Sequence, residues 1–99
     1  MHVRVTNVQL KPGKMQDLIK AYDDSVVPAQ KAQKGYQGSY LMTDASSGKA
    51  LAISVWETEA DLVASGDSGY VQEALTKLAD LFEDSPKLDN YELSSDNSP

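Results

Sequence analysis

Residues 50–56 constrain the fold most, because these seven consecutive residues carry no charge. Successive side chains of a β-strand point to opposite faces of its sheet. One face of this strand would carry Leu51, Ile53 and Val55, and the other Ala50, Ala52, Ser54 and Trp56. Both faces therefore look buried. One small subunit easily covers only one face of a sheet, so the second face suggests a partner, and the small residues beside the only tryptophan suggest a pocket.

The residues around this strand complete a β-hairpin. Residues 35–42 predict the preceding strand, and the polar segment 44–49 predicts the loop between the two. After the hairpin, Thr58 is placed to cap a helix, and the acidic residues Glu57, Glu59 and Asp61 lie near the positive end of that helix dipole. The hairpin therefore leads directly into a helix.

The N-terminal segment predicts another strand, which ends at the turn signal Pro12-Gly13. Its apolar residues are Val3, Val5, Val8 and Leu10, so they occupy odd positions first and even positions later. Either a bulge near Thr6 and Asn7 shifts the register, or both faces of this strand are buried as well.

Helical spacing of apolar residues predicts the remaining elements. The first helix carries Met15, Leu18, Ile19, Tyr22 and Val26; we expect Pro28 to kink or end it, with a short helical turn to Lys34 closed by Gly35. A brief helix after Thr58 is interrupted at residues 65–69, where Asp67 or Ser68 is predicted to cap the next helix and the glycines to act as a hinge. That next helix carries Val71, Ala74, Leu75, Leu78, Leu81 and Phe82, and a short last strand carries Leu88, Tyr91 and Leu93.

The order β-α-β-β-α-β predicts an α+β, ferredoxin-like fold, a four-stranded antiparallel sheet with helices on one face. The other face would expose a large apolar patch, which monomeric proteins rarely do, so we expect a homodimer through the open sheet face. Residues 1–93 are predicted to form this one domain, and residues 94–99 a polar C-terminal tail.

Composition excludes several classes of function. A formal net charge of -6 argues against nucleic acid and against an anionic membrane surface as partners. The absence of cysteine excludes disulfides and thiolate metal sites, and no constellation of metal ligands is evident. The sequence shows neither a signal-peptide core nor an apolar run of membrane length, so a cytoplasmic location is expected.

Two further features carry no catalytic prediction. Residues 66–69 read Gly-Asp-Ser-Gly, as around the nucleophile of trypsin-like proteases, but the only histidine is His2 on the N-terminal strand. A serine-protease site is therefore excluded. His2 either pairs with an acid or lies exposed, and we expect it to be exposed.

Three passages, at residues 5–14, 26–38 and 55–60, resemble the antibiotic biosynthesis monooxygenase domain family. The resemblance extends from about Val3 to Leu93. It implies homodimers whose two sheets join into a dimeric α+β barrel, with a small-molecule pocket in each subunit between sheet and helices. Members of this family include oxygenases that need no metal or flavin, quinol-oxidising enzymes, haem-degrading enzymes, an isomerase and domains without known activity.

The resemblance separates these branches. Haem-degrading members use an asparagine on strand one, which Asn7 matches, together with a tryptophan and a histidine whose positions fall near Ser65 and Leu75. Neither of the latter residue types is present there. Haem degradation is therefore not expected, and no cofactor is predicted.

The cofactor-free oxygenases remove a proton from a phenolic or enolic substrate and pass an electron from the anion to dioxygen. We predict Asn7 and Trp56 as catalytic residues that stabilise the anion through their N–H groups. The predicted substrate-binding residues are Tyr22, Tyr36, Tyr40, Tyr70 and Leu75. No strong base is evident. Trp56 is alternatively a packing anchor of the core, and Asn7 either lines a pocket or is satisfied structurally at a bulge.

The sequence thus leads to two hypotheses of different classes. The first is a cofactor-independent monooxygenase that acts on a small aromatic or quinol-type substrate with dioxygen. The alternative is a non-catalytic dimeric domain that binds a small molecule or is associated with stress, in which Asn7, Trp56 and the tyrosines are structural.

Overall fold

The computed structural model describes all of residues 1–99 and confirms the predicted ferredoxin-like α+β fold. Four antiparallel strands form one sheet in the order β2-β3-β1-β4. The strands are β1 His2–Gln9, β2 Tyr36–Asp44, β3 Lys49–Trp56 and β4 Lys87–Glu92. The α-helices are α1 Met15–Ala21, α2 Val27–Lys31, α3 Glu59–Asp67 and α4 Tyr70–Leu78, with a π-helical turn at Tyr22–Val26 and a 3-10 turn at Ala79–Leu81.

The pairing of β1 with β3 decides between the two interpretations of strand one. His2 lies opposite Trp56 and Gln9 opposite Lys49, with every pair between them in step, so β1 has no bulge along this pairing. The one irregularity lies in β2, between Tyr36 and Gly38. Even-numbered residues of β1 and β3 therefore face the helices, while the odd-numbered ones form the open face.

Pro28 does not end the first helical segment. The chain continues from α1 through the π-helical turn into α2, whose first turn holds Pro28, where the missing N–H is tolerated. The π-helical turn ends at Val26, shortly before Pro28. The segment ends at Lys31, three residues before the predicted end at Lys34, and Gly35 follows with a φ of 83°.

The two later helices meet at a glycine. Thr58 caps α3 as predicted, because its Oγ1 accepts a hydrogen bond from the Asp61 N–H at 3.0 Å. α3 continues through Gly66, so the break lies later than predicted, at Ser68 and Gly69. The predicted cap of α4 was wrong: Gly69, with a φ of 91°, is its N-cap residue, and Ser68 donates to the carbonyl of Ser65 instead.

The helix-covered face holds two apolar clusters. The main cluster comprises Val8, Leu10, Leu18, Tyr22, Val26, Ala50, Leu78 and Phe82. A smaller cluster, the tryptophan cluster, comprises Trp56, Leu62 and Tyr70. The residues that lie between the two clusters on the sheet are polar.

The ends of the chain add two observations. The His2 imidazole is not exposed as expected: it is partly buried, and its Nε2 lies 3.0 Å from the Glu59 carboxylate. Residues 93–99 form neither helix nor strand. No helix is both long enough and apolar enough to cross a membrane.

Candidate functional site

A row of three polar residues crosses the middle of the helix-covered face. Ser39 on β2 lies opposite Ser54 on β3, and Ser54 lies opposite Arg4 on β1. Neighbouring strands are about 4.8 Å apart, so these side chains stand next to one another. We call Ser39, Ser54 and Arg4 the polar row. The tryptophan cluster lies beyond one side of it and the main cluster beyond the other.

Arg4 is the most unusual member of the polar row, because its side chain is charged and only 6% of the residue is exposed. Its Nη1 donates to the Tyr70 hydroxyl at 3.0 Å, and its Nη2 donates to the Leu62 carbonyl at 2.9 Å and to Ser65 Oγ at 3.2 Å. The guanidinium carbon lies 5.9 Å from the centre of the Trp56 ring. These contacts hold the cation by dipoles and an aromatic face.

Arg4 has no anionic partner. The structure contains four ion pairs, and none includes Arg4. Buried arginines are rare unless they are paired, because removing a charge from water is costly. The arrangement therefore leaves a positive charge inside the protein without a counter-ion from the chain.

A cavity of about 60 Å³ lies between the polar row and the helices. Its polar lining residues are Arg4, Thr6, Tyr22, Gln30, Ser54 and Tyr70, and the rest are mostly aliphatic. One buried water needs roughly 10–15 Å³, so the cavity has room for a few water molecules or a small ligand group.

Two residues that line this cavity each have a buried polar atom that makes no hydrogen bond of standard geometry. These atoms are the Tyr22 hydroxyl and Gln30 Oε1, and each residue is only 5% exposed. An unsatisfied buried polar atom costs about 1–3 kcal/mol. Both atoms therefore retain hydrogen-bonding capacity.

Burial also changes the acidity of two cavity tyrosines. Desolvation raises the pKa of Tyr22, opposed by the nearby side chains of Ser39 and Gln30. Desolvation likewise raises the pKa of Tyr70, opposed first by the positive charge of Arg4. Both phenols are consequently protonated at neutral pH and can donate hydrogen bonds.

A groove of about 140 Å³ between the first helical segment and α4 adjoins the cavity. Val26, Tyr70, Ala74 and Leu78 line both spaces and separate them. The groove and the cavity are therefore neighbours, and a shift of α4 would join the two.

The predicted site residues fall into three groups. Tyr22, Tyr70 and Leu75 line the cavity. Trp56 and Tyr36 form the second group, on the side of the polar row away from the main cluster, and their ring centres lie 6.0 Å apart. Trp56 is fully buried and donates a hydrogen bond through Nε1 to Ser54 Oγ at 2.9 Å. The Tyr36 hydroxyl forms a hydrogen bond with Ser39 Oγ at 2.9 Å.

Asn7 and Tyr40 make up the third group, on the open face, away from the cavity. The Asn7 side chain is exposed and donates weakly to the Lys87 carbonyl at 3.4 Å, while Tyr40 is 62% exposed. The structure therefore does not bring Asn7 and Trp56 into one site. Thr6, the residue before Asn7, faces the cavity, because neighbouring residues of a strand point to opposite faces of the sheet.

Sequence reasoning missed Arg4, Thr6 and Gln30. A signal was present for the first two, since Arg4 and Thr6 share the even positions of Val8 and Leu10 on β1. Gln30 carried no such signal, because it follows Pro28 where the helical spacing of apolar residues has ended.

The open face has a different character. Its centre is aliphatic, with Val3 opposite Val55 and Val5 opposite Ile53. Large exposed side chains on the outer strands extend this patch: Tyr40, Met42 and Tyr91. Asn7 lies at one end, beside a broad open groove.

Comparison with known proteins gives one family. The family model described as antibiotic biosynthesis monooxygenase matches residues 1–77. Two curated Mycobacterium tuberculosis proteins, described only as the uncharacterized proteins Rv2557 and MT2634, are each 27% identical over 95 residues. The match covers 96% of this chain and 42% of each relative, so the chain spans less than half the length of these relatives.

Solved structures share the fold at low sequence identity. A mutant of MhuD with two manganese protoporphyrin IX molecules per active site matches with a TM-score of 0.80 and 16% identity, over 100% of both chains. The Nitrosomonas europaea protein NE2512, of unknown function, gives 0.78 and 17% identity over 99% of this chain and 93% of its own. A protein described as antibiotic biosynthesis monooxygenase gives 0.75 and 12% identity over 96% and 100%.

Proposed function

The chain belongs to the antibiotic biosynthesis monooxygenase family, and on that premise we propose that it binds a small aromatic or quinol-type molecule between sheet and helices and oxidises it with dioxygen. One observation carries the proposal. Two residues that line the mostly apolar cavity each have a buried polar atom that makes no hydrogen bond of standard geometry, the Tyr22 hydroxyl and Gln30 Oε1. An aromatic substrate with a phenolic or enolic hydroxyl supplies what both atoms lack.

Tyr22 and Gln30 would bind such a hydroxyl in its neutral state, and Tyr22 would also bind it in its ionised state. Gln30 Oε1 accepts the hydrogen bond of the neutral substrate, and the Tyr22 hydroxyl donates to its oxygen. After the substrate loses its proton, the Tyr22 donor stabilises the anion. The raised pKa of Tyr22 supports this role, because the phenol keeps its own proton.

The overall reaction balances without another reactant. A substrate CH₂ group that enolises loses two hydrogens and gains one oxygen atom from dioxygen, and the second oxygen atom leaves with both hydrogens as water. The cavity lining contains no carboxylate and no histidine. The first proton therefore passes to water or to a group of the substrate itself.

Entry of a ring system requires movement. Ligand pockets commonly enclose about 300–1,000 Å³, more than the cavity and the adjoining groove together. α4 begins at Gly69 in the left-handed conformation, next to the break between α3 and α4. A displacement of α4 about this point would merge the two spaces.

A haem does not fit this site as the chain builds it. The cavity lining contains no histidine, cysteine or methionine to serve as an axial ligand, and burial raises the pKa values of its tyrosines, Tyr22 and Tyr70, so that both keep their protons. We therefore propose no haem chemistry for this protein.

The open face supports a homodimer. Its aliphatic centre is only partly buried in a single subunit, and the large side chains Tyr40, Met42 and Tyr91 are exposed. A second copy placed sheet to sheet would remove this patch from water, which is the strongest driving force for association. A cytoplasmic location stays a prediction from the sequence.

Oxygen uptake tests the oxidation. A panel of quinols, anthrones and flavonoids is added to the purified protein while dioxygen is monitored, and at least one compound should be consumed faster than in the buffer control. Tyr22→Phe should reduce kcat by about 100–1,000-fold, the range for the loss of one oxyanion donor. Tyr91→Phe, an exposed tyrosine on β4, is the matched control and should leave kcat unchanged.

Two results would reject this function. If no compound consumes dioxygen above the control, the monooxygenase proposal fails, and binding of the same compounds without turnover would favour the non-catalytic alternative. Equal kcat values for Tyr22→Phe and Tyr91→Phe would remove Tyr22 from the site.

A further inference from the structure

We propose that the bound ligand carries a negatively charged oxygen group, a carboxylate or a phenolate, and that Arg4 binds this group. This inference rests on the proposed function, because it concerns the same cavity. The polar row would then be an anion subsite, with Arg4 as the one charged group that contacts the ligand. Neither the family match nor the sequence pattern assigned a role to Arg4.

The distribution of charge carries the inference. The chain has a formal net charge of -6, yet Arg4 is the only charged residue among the buried ones. The acids of the ion pairs, Asp17, Asp24, Glu59 and Glu73, lie at the surface with other partners. A buried cation that no acid of the chain neutralises is the arrangement expected where a ligand supplies the negative charge.

Arg4 also has hydrogen-bonding capacity to spare. A guanidinium has five N–H donors, and three hydrogen bonds account for three of them. Arg4 lines the cavity together with Tyr22 and Gln30, which retain hydrogen-bonding capacity of their own. The cavity therefore combines one cation, spare donors and an unsatisfied acceptor.

Local structure leaves room for the guanidinium at this position. A Cβ atom at Gly66 would lie only 3.1 Å from Arg4 Nη2, so α3 approaches closely because residue 66 lacks a side chain. The Tyr70 hydroxyl and Ser65 Oγ then fix the plane of the group from α4 and α3. A positioned guanidinium binds an oxyanion with less loss of side-chain entropy than a free one.

The surroundings select the type of anion. A carboxylate or phenolate carries one negative charge, which matches the single cation, and its apolar remainder matches the aliphatic lining. A phosphate group would bring a second charge with no second cation beside it. We therefore assign the ligand to small aromatic acids or ionised phenols.

A comparison of two probes of equal shape tests the charge requirement on the unmodified protein. 4-Hydroxybenzoate and its neutral counterpart 4-hydroxybenzamide are titrated while the fluorescence of Trp56, the only tryptophan, is recorded. Its ring lies 5.9 Å from the Arg4 guanidinium carbon, so the signal reports on this site. We expect the carboxylate to bind at least 10-fold more tightly. Equal affinities would exclude a carboxylate as the ligand group. The inference would be overturned if, in addition, 4-nitrophenolate binds no better than neutral 4-nitrophenol, or if none of these probes binds saturably.

A second probe separates the two sources of the anion. 4-Nitrophenol is titrated above and below its own pKa, and the absorbance of bound phenolate is recorded. If 4-nitrophenolate binds tightly and 4-hydroxybenzoate binds no better than 4-hydroxybenzamide, the ligand group is a phenolate. If 4-hydroxybenzoate is preferred over 4-hydroxybenzamide and 4-nitrophenolate binds weakly, the ligand group is a carboxylate. Both results support the anion subsite, whereas preference for neutral phenol contradicts it.

Variants attribute the preference to Arg4. Arg4→Met should abolish the 10-fold preference, Arg4→Lys should retain part of it because the charge stays, and the exposed control Lys20→Met should leave it unchanged. An unchanged preference in a folded Arg4→Met variant would overturn the inference. If that variant does not fold, the probe comparison on the unmodified protein still decides.

These results are independent of turnover. Binding of the carboxylate without consumption of dioxygen would keep the anion subsite and reject the monooxygenase. Oxidation of neutral quinols without any preference for anions would keep the monooxygenase and reject the anion subsite.

Discussion

The two faces of the sheet depart from the usual division between an apolar covered side and a polar open side. An antiparallel sheet with helices on one face normally buries apolar residues there and shows polar ones to water. Here the covered face has the polar row across its middle, and the open face has Val5, Ile53 and Val55 at its centre. The difference suggests that the covered face is built for a ligand and the open face for a second subunit.

Truncation of the tryptophan cluster should have the largest effect. Trp56→Ala removes a fully buried indole, which typically costs about 3–5 kcal/mol in the free energy of unfolding. Urea denaturation measures this loss. Val63→Ala, half-exposed on α3, is the control and should change stability by less than about 0.5 kcal/mol. A loss below about 1 kcal/mol for Trp56→Ala would mean that this part of the covered face does not support the fold.

A charge on the open face tests the other half of the comparison. Ile53→Asp puts a carboxylate at the centre of the aliphatic patch, and a symmetric dimer would bury it twice. We expect the dissociation constant to rise at least about 100-fold, equivalent to about 2.7 kcal/mol, while the monomer stays folded. Light scattering measures the dissociation of the dimer, and circular dichroism shows whether the monomer stays folded. A monomeric unmodified protein at micromolar concentration would contradict the dimer directly.

Removal of the buried charge should have a smaller effect, of opposite sign. Arg4→Met replaces an uncompensated cation by an apolar chain of similar length, which removes the desolvation cost of the charge together with its three hydrogen bonds. We expect the free energy of unfolding to rise by about 1 kcal/mol in the absence of ligand. A loss above about 2 kcal/mol would show that Arg4 is a structural residue whose charge the surrounding dipoles already satisfy.

Alkaline pH should weaken the covered face slightly. The pKa values of Tyr22 and Tyr70 are raised above 10.0 in the folded protein, so their contribution to stability is complete below pH 10.0. It is lost as the pH rises through the raised values, because the unfolded chain ionises first. Denaturation curves should therefore show a decline above pH 10.0. The double variant Tyr22→Phe/Tyr70→Phe should show a smaller decline, and an equal one would contradict the assignment.

Sequence periodicity predicted the elements of the fold but not the site. Alternation along residues 50–56 predicted which residues of β3 share each face of the sheet, and Thr58 predicted the start of α3. Both predictions depend only on residues that are close together in the sequence. Asn7 was assigned to one catalytic site with Trp56, whereas the two residues lie on opposite faces of the sheet, because a motif match does not determine which face of a strand a residue occupies. Arg4 was missed for another reason: an arginine in a short strand is ordinarily solvated, and only long-range contacts with Leu62, Ser65 and Tyr70 bury it.

The polar row also has a consequence for how the molecule opens. It divides the apolar core, so the tryptophan cluster, which ties α3 and the start of α4 to the end of β3, does not share a continuous apolar contact surface with the larger cluster. Small clusters of this kind can open in local fluctuations that leave the rest of the protein folded. Amide hydrogens of α3 would then exchange with solvent faster than those at the centre of β1 and β3, and a ligand bound to the polar row would slow that exchange by joining the two clusters.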